Sequence, residues 1–554
     1  MRGAQPFYTG LVPSSLAPII SRTRLAVVAL SGLALLALLA ALADAPPQRA
    51  EVYFMDGALR MLESGDFLVP TFRGRPFFDK PPLATWLMAG ALAALEREPW
   101  AARLVSVLAT LLAALATFTL GRRLLGRDAA AAGALVFLAT PAVLSLGRLA
   151  MSDMLLTLLC LLAVQASLAA LRPAASTATS VLAGTLFGLA FLTKGPVALL
   201  VAGAPVLLAA RRLGAPLRAG QLAAAGLAFA TCGLGWFSWL ALRAGGDPLQ
   251  HFFLQENLAR FGGGAYDSGR GPLYYPASYL LLGLPWSPLL PLAVWRLRHE
   301  SGARLLLGQV LLVLLPLTLS RGKLEYYLLP LYPALSLLVG RLLAETDWGR
   351  GTTRLLRGLA LLLASVTLAA GALLGRLPAE ARPGPGLLVL LGGAVLAGAG
   401  SLLAVAWRPS PRRLLGVAAA VLLSAFAAAQ QWLLPAQRAG QPNRALRAAI
   451  ARQLERAPAL RLVLCHDPTR VERELLVHER LVAEQRCDLE RAAAGPGPLL
   501  LLLHDDEIER LAALPGLQPL GEWGFLPVKT LHHLAWGREV PRRRVALVYR
   551  PPAQ

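Results

Sequence analysis

Residues 25–42 read LAVVALSGLALLALLAAL, an unbroken apolar stretch with no charge in it. A helix that crosses a bilayer needs about 20 such residues. Arg22 and Arg24 stand just before the stretch, no small-residue cleavage site is convincing, and more apolar runs follow, so it reads as a retained anchor and not a removed leader. Working outward, similar apolar runs recur at 101–120, 129–147, 154–171, 178–192, 195–210, 220–242, 273–295, 303–319, 326–343, 354–375, 385–407 and 411–434, which predicts thirteen spans in all. The whole chain agrees. Of 554 residues 56% are hydrophobic and only 16% charged, with a mean hydropathy of +0.55. Soluble domains run to about 25% charged residues, so a polytopic α-helical membrane protein is the fold class expected.

Charge gives the orientation. Lys and Arg total 54 against 32 acids, a net charge of +22. Nucleic acid is not the implied partner, because the basic residues are scattered between apolar runs. Arginine clusters at 122–127, 172, 211–218, 296–304, 350–357 and 408–413 all fall in inner loops if the N-terminus is cytoplasmic. Thirteen spans then put the C-terminus outside. Two outer loops are long, 43–100 and 244–272; in the first, Met55–Leu62 and Leu83–Leu95 read as interfacial helices. Residues 1–437 form the membrane unit. Residues 438–554 read as a small extracytoplasmic α/β domain, with strands at Leu460–Leu464, Leu499–Leu503 and Val545–Tyr549 and a helix at Asp505–Ala513. Cys465 and Cys487 lie there and have the option of pairing. No Walker loop, HExxH, GxSxG or CxxC occurs, which argues against an ATP-driven pump and a zinc protease.

Only four of the 54 cations are lysine, and Lys80, Lys194 and Lys323 fall in predicted outer segments, against the arginine trend. A compact ammonium there suits anion binding at the outer face; chance placement is the plain alternative. Lys80 is held by Pro81-Pro82, Lys194 sits in a Thr-Lys-Gly-Pro turn, and Lys323 opens Lys323-Leu324-Glu325-Tyr326-Tyr327. Tyr326 and Tyr327 are either interface residues or hydrogen-bond donors to a phosphate. Acids near the membrane edge are Glu51, Asp56 and Asp66 in the first loop and Asp153 at the start of a span. For Asp153 a helix-start role competes with a functional one. His251 reads as a solvated loop histidine.

Leu62-Glu63-Ser64-Gly65-Asp66-Phe67-Leu68-Val69-Pro70 followed by Asp79-Lys80-Pro81-Pro82-Leu83 resembles the first outer loop of the lipid A aminoarabinose transferases, relatives of the protein O-mannosyltransferases with the GT-C glycosyltransferase fold. Arg148 with Asp153, Thr193–Pro196, Glu256 with Arg260-Phe261, Pro285-Trp286, and Lys323 with Tyr326-Tyr327 and Pro330 follow in family order, over residues ~20–345. The resemblance implies transfer of a sugar from a polyprenyl phosphate, with inversion at the anomeric carbon, to a lipid or protein acceptor outside a bacterial inner membrane. It implies Lys80, Arg260 and Tyr326 or Tyr327 as ligands of the donor phosphate. Asp153 becomes a catalytic acid, and Asp56, Asp79, Lys194, Glu256 and Lys323 become further candidates for substrate contact. Relatives carry an Asp-Glu pair where this chain has Ala50-Glu51, so Glu51 is expected to take the place of the missing base, with Asp44 as the alternative. Asp79 and Asn257 stand where some relatives have metal-associated Glu and His; no cofactor is therefore expected to be required, and a metal is left open. The other readings are a lipid or polysaccharide transporter and a non-catalytic relative that binds a lipid-linked sugar.

Overall fold

The computed structural model describes residues 29–43, 47–72, 75–95, 97–213, 218–263, 267–345, 349–374, 385–439, 443–456, 461–464, 499–504, 508, 518–525 and 543–550. Helices dominate. In chain order they are α1 (Ala29–Leu39), α2 (Arg49–Ser64), α3 (Leu83–Ala94), α4 (Pro99–Leu124), α5 (Arg127–Leu138), α6 (Pro141–Leu146), α7 (Asp153–Ala170), α8 (Thr177–Lys194) and α9 (Val197–Leu213). They continue with α10 (Ala219–Ala244), α11 (Tyr274–Leu282), α12 (Leu290–Leu297), α13 (Ser301–Leu319), α14 (Tyr332–Leu343), α15 (Arg350–Leu374), α16 (Pro385–Trp407), α17 (Pro411–Ala439) and α18 (Asn443–Arg456).

Among the described residues nine helices are long and apolar enough to cross a membrane, or ten if α11 and the Ser287–Leu297 segment are counted as one broken span. Each of the thirteen expected runs contains helix in its described part, and four differ from the expected bounds or continuity. The run at 25–43 is described from Ala29 as a helix ending at Leu39. The run at 129–147 breaks before Pro141, which cannot donate the hydrogen bond that would continue α5. The run at 195–210 becomes the single 17-residue α9. The run at 273–295 turns by 118° between α11 and Ser287.

The inner helices are α7 and the Glu325–Leu343 segment, 78% and 83% buried in their apolar windows, whereas the window in α16 is 17% buried and faces outward. α5 packs on α14 with backbones almost touching. A Cβ on Gly340 would lie 2.2 Å from the Gly133 nitrogen, so glycine is required on both sides of that crossing. The arginine-bearing loops meet one another. Arg212 donates to the carbonyls of Ser301 and Arg304, Arg341 pairs with Glu300 at 2.7 Å, and Arg412 with Asp128 at 3.4 Å. The two long loops meet elsewhere, around Lys80, Lys194 and Lys323.

In the C-terminal part, β3 (Arg461–Leu464), β4 (Leu499–His504), β5 (Gln518–Phe525) and β6 (Arg543–Arg550) form a sheet in the order β3-β4-β6-β5, after the short β1 (Thr71–Phe72) and β2 (Arg75–Pro76) hairpin of the first loop. β3 and β4 are parallel and the other pairs antiparallel. Three of these strands coincide with the apolar runs seen in the sequence; β5 (QPLGEWGF) has too few β-branched residues to stand out. Cys465, Cys487, Asp44 and the expected helix at 505–513, apart from Ile508, lie outside the described residues.

Candidate active site

A cavity of about 860 Å³ opens where the two long loops meet the helix ends. Its walls come from α2 (Ala50, Tyr53), the first loop (Asp79, Lys80), the start of α7 (Asp153, Leu156), the α8–α9 turn (Lys194 to Val201), the second loop (Glu256, Asn257, Ser268), and the end of α13 with the turn after it (Pro316, Leu317, Lys323, Tyr326, Tyr327). One part is charged. The rest is apolar, made of side chains on membrane helices.

At its centre Asp153 and Lys194 form an ion pair. Asp153 lies in the first turn of α7 and Lys194 in the last turn of α8, so each charge faces the helix end that favours it. The Lys194 ammonium also lies over the rings of Tyr327 and Tyr326, at 4.9 and 5.4 Å from their centroids. Gly195 makes this corner. Its φ is +71°, and a Cβ there would lie 2.5 Å from the ring of Phe252, so the second loop closes directly over a position only glycine can occupy.

Lys80 Nζ lies 3.5 Å from a Glu256 carboxylate oxygen and donates to the Asp79 carbonyl at 2.9 Å. The Asp79 carboxylate in turn meets His251 Nε2 at 2.9 Å, and His251 Nδ1 meets Gln255 at 2.8 Å. The solvated histidine expected from sequence is thus a bridge between the two loops. Asp79 and His251 are 172 residues apart in the chain, a contact no local pattern reveals. Burial alone would lower the His251 pKa. The hydrogen bonds to Asp79 and Gln255, with the negative charges of Asp79 and Glu256, outweigh it and raise the pKa above the ordinary histidine value. The ligand atoms of Asp79, His251 and Glu256 lie within 4.8 Å of one another. One imidazole and two carboxylates suit a divalent ion such as zinc, which would tie the two loops together there.

Glu51 is a correction. Ala50 faces the cavity, and the next residue on a helix points about 100° away. Glu51 is fully buried; its two oxygens accept Arg103 Nε at 2.8 Å and Nη2 at 3.0 Å, and the backbone N–H groups of Ala150 and Gln48 at 2.9 Å each. Arg103 also donates to the Leu42 carbonyl at 2.8 Å. Glu51 therefore ties α2 to α4 and to the approach of α7, and does not replace a base at position 50. Asp56 is a second correction: it is buried against Arg60 at 2.9 Å and does not line the cavity. Asp79, Lys80, Asp153, Lys194, Glu256, Lys323, Tyr326 and Tyr327 all do. The side chain of Arg260 lies outside the described residues.

Comparison with known proteins bears on the fold and on kinship. Residues 79–238 match the family described as dolichyl-phosphate-mannose-protein mannosyltransferase. The undecaprenyl phosphate-alpha-4-amino-4-deoxy-L-arabinose arabinosyl transferase of Edwardsiella ictaluri is 32% identical over 332 residues, 57% of this chain and 59% of that protein. A transferase of the same description from Sodalis glossinidius is 36% identical over 307 residues, 53% of this chain and 54% of its own length. The matches thus span somewhat over half the length of these relatives. The crystal structure of ArnT from Cupriavidus metallidurans bound to undecaprenyl phosphate superimposes with a TM-score of 0.71 at 19% identity, covering 96% of this chain and 98% of that one. Its apo form gives a TM-score of 0.73 over the same shares. The chain thus shares the fold of ArnT over nearly its whole length and is related in sequence, over somewhat more than half of it, to the undecaprenyl phosphate-aminoarabinose arabinosyl transferases.

Proposed function

We propose that the chain is an integral-membrane glycosyltransferase that moves a sugar from a polyprenyl phosphate, undecaprenyl phosphate in a bacterium, to an acceptor on the outer face of the membrane. The observation that carries this is the two-part cavity. Lysines, tyrosines and acids gather at one part, and Leu156, Leu200, Val201 and Leu317 wall the other, which suits a phosphate head on an isoprenoid tail.

In this reading an acceptor oxygen attacks the anomeric carbon opposite the phosphate. The new carbon–oxygen bond forms as the bond to the phosphate oxygen breaks, and the configuration inverts. The leaving phosphate gains the bonding electron pair, going from one negative charge to two. Lys80, Arg260 and Tyr326 or Tyr327 stabilise that growing charge. Asp153 takes the acceptor proton or orients the acceptor; Lys194 holds its carboxylate in place. Glu256 and Asp79 position Lys80. No step is assigned to a metal. The acceptor is lipid A, another glycolipid or a protein. The setting is a bacterial inner membrane, with a cytoplasmic N-terminus and residues 438–554 as a periplasmic domain.

Ala50 favours a second reading, a relative that binds a lipid-linked sugar without transferring it. Purified protein in lipid nanodiscs, given sugar-loaded undecaprenyl phosphate and envelope lipids, separates the two. Transfer with inversion is expected, and Asp153→Asn should lower kcat about 100-fold or more. Donor binding without consumption would establish the second reading, and absence of donor binding would refute both.

A further inference from the structure

We infer that Lys323 is a further anion-binding group of the cavity, built to receive a phosphate-type oxyanion that is either the donor phosphate or an acidic group of the acceptor. This rests on the glycosyltransferase reading and deepens it. Three lysines line the cavity, and two of them face a carboxylate: Lys80 has Glu256 and Lys194 has Asp153. Lys323 has none among the described residues. The residue is 5% exposed and its ammonium donates to the carbonyl of Ser320, at the C-terminal end of α13. That helix end offers only about half a negative charge. Glu325, two residues on, is engaged elsewhere, accepting the Tyr274 hydroxyl at 3.0 Å and lying 3.9 Å from Arg270; Asp267, next to the Ser268 that contacts the Lys323 backbone, lies 3.7 Å from Arg321. A buried ammonium lacking a countercharge is costly, and an arriving anion removes that cost.

The backbone around this ammonium is fastened from outside. Ser268 Oγ donates to the Arg321 carbonyl at 2.8 Å and accepts the Lys323 N–H at 3.3 Å, while Arg270 donates to the Lys323 carbonyl at 2.7 Å. The second long loop thus holds the corner, and the cation is placed before any ligand arrives. Such fixed donors bind charge without reorganising. Two anions take part in the proposed reaction, the donor phosphate and an acidic acceptor group, and both offer the same oxyanion chemistry.

The test uses full-length protein, with Lys323→Met keeping the length of the side chain and Lys323→Arg keeping its charge. Affinity for undecaprenyl phosphate, KM for an acidic lipid acceptor and thermal melting are measured for each. Lys323→Met should weaken one of the two ligands about tenfold or more, Lys323→Arg should recover most of that loss, and melting should not move. A loss confined to undecaprenyl phosphate identifies the donor phosphate; one confined to acceptor KM identifies the acceptor. Wild-type affinity and KM in Lys323→Met would overturn the inference, as would losses in both variants that follow a fall in melting temperature, which would make Lys323 only a cap of α13. Failure of the wild type itself to bind undecaprenyl phosphate would instead remove the proposed function, and the inference with it.

Discussion

Single residues separate structure from chemistry at this site. Glu51 and Asp153 are both buried acids paired with a cation, but only Asp153 borders the cavity. Removing one partner of a buried pair costs about 3–5 kcal/mol, because the other charge is left without compensation. Glu51→Ala should therefore lower the melting temperature and the yield of folded protein, and the folded fraction should still bind undecaprenyl phosphate. A normal melting curve with lost donor binding would return Glu51 to the site. Ala50→Asp, by contrast, adds a carboxylate to the cavity wall without touching Arg103. His251 carries a pH signature. Its folded pKa is raised, so its contact with Asp79 contributes stability in full below the unfolded value of about 6.5 and loses it as pH rises through the folded value. In chelator-treated protein, wild type and His251→Gln should differ most in melting temperature below pH ~6.5 and converge as the pH is raised. A gap that widens with pH would show that His251 is held neutral, as a metal ligand would be.

At the scale of elements, helix ends and helix crossings position the site. α7 and α8 bring opposite ends together, which is why an acid and a lysine 41 residues apart can pair. The α5–α14 crossing sets where the Glu325–Leu331 turn and its tyrosines begin. Gly340→Leu forces a side chain into the Gly133 backbone, so it should destabilise the fold by a few kcal/mol and weaken donor binding in proportion; melting and binding measured together check this. An unchanged melting curve would mean the crossing has room that the distances deny. Elements were the most legible level of the sequence. The runs and breakers set helices to within a few residues of their observed ends, because burial in lipid leaves little alternative to a helix. Two runs are interrupted, 129–147 before Pro141 and 273–295 by a 118° turn, because composition reports apolar length and not whether a proline or a sharp turn breaks the path.

Across the whole molecule, charge is divided. Arginines stitch one set of loops together, and three of the four lysines gather at the cavity formed by the other set. The proposed orientation makes a direct prediction. Single cysteines introduced at exposed Arg122 and Arg298 should react with a membrane-impermeant thiol reagent only in inverted vesicles, and one at exposed Arg270 only in intact cells. The reverse pattern would place the cavity on the cytoplasmic side and refute an outer-face reaction.

The sequence by itself determined that this chain is a bundle of membrane helices with two long loops, and it singled out most of the cavity's charged residues. Those features follow from hydrophobic length and from residue types rare in their setting, and both are local. Only the tertiary structure decided that Ala50 faces the cavity while Glu51 faces Arg103, that His251 meets Asp79, and that among the described residues Lys323 has no carboxylate partner while the other two cavity lysines have one. The physical reason is rotation and distance. One step along a helix turns a side chain by about 100°, and partners separated by 172 residues in the chain are chosen by how whole helices pack.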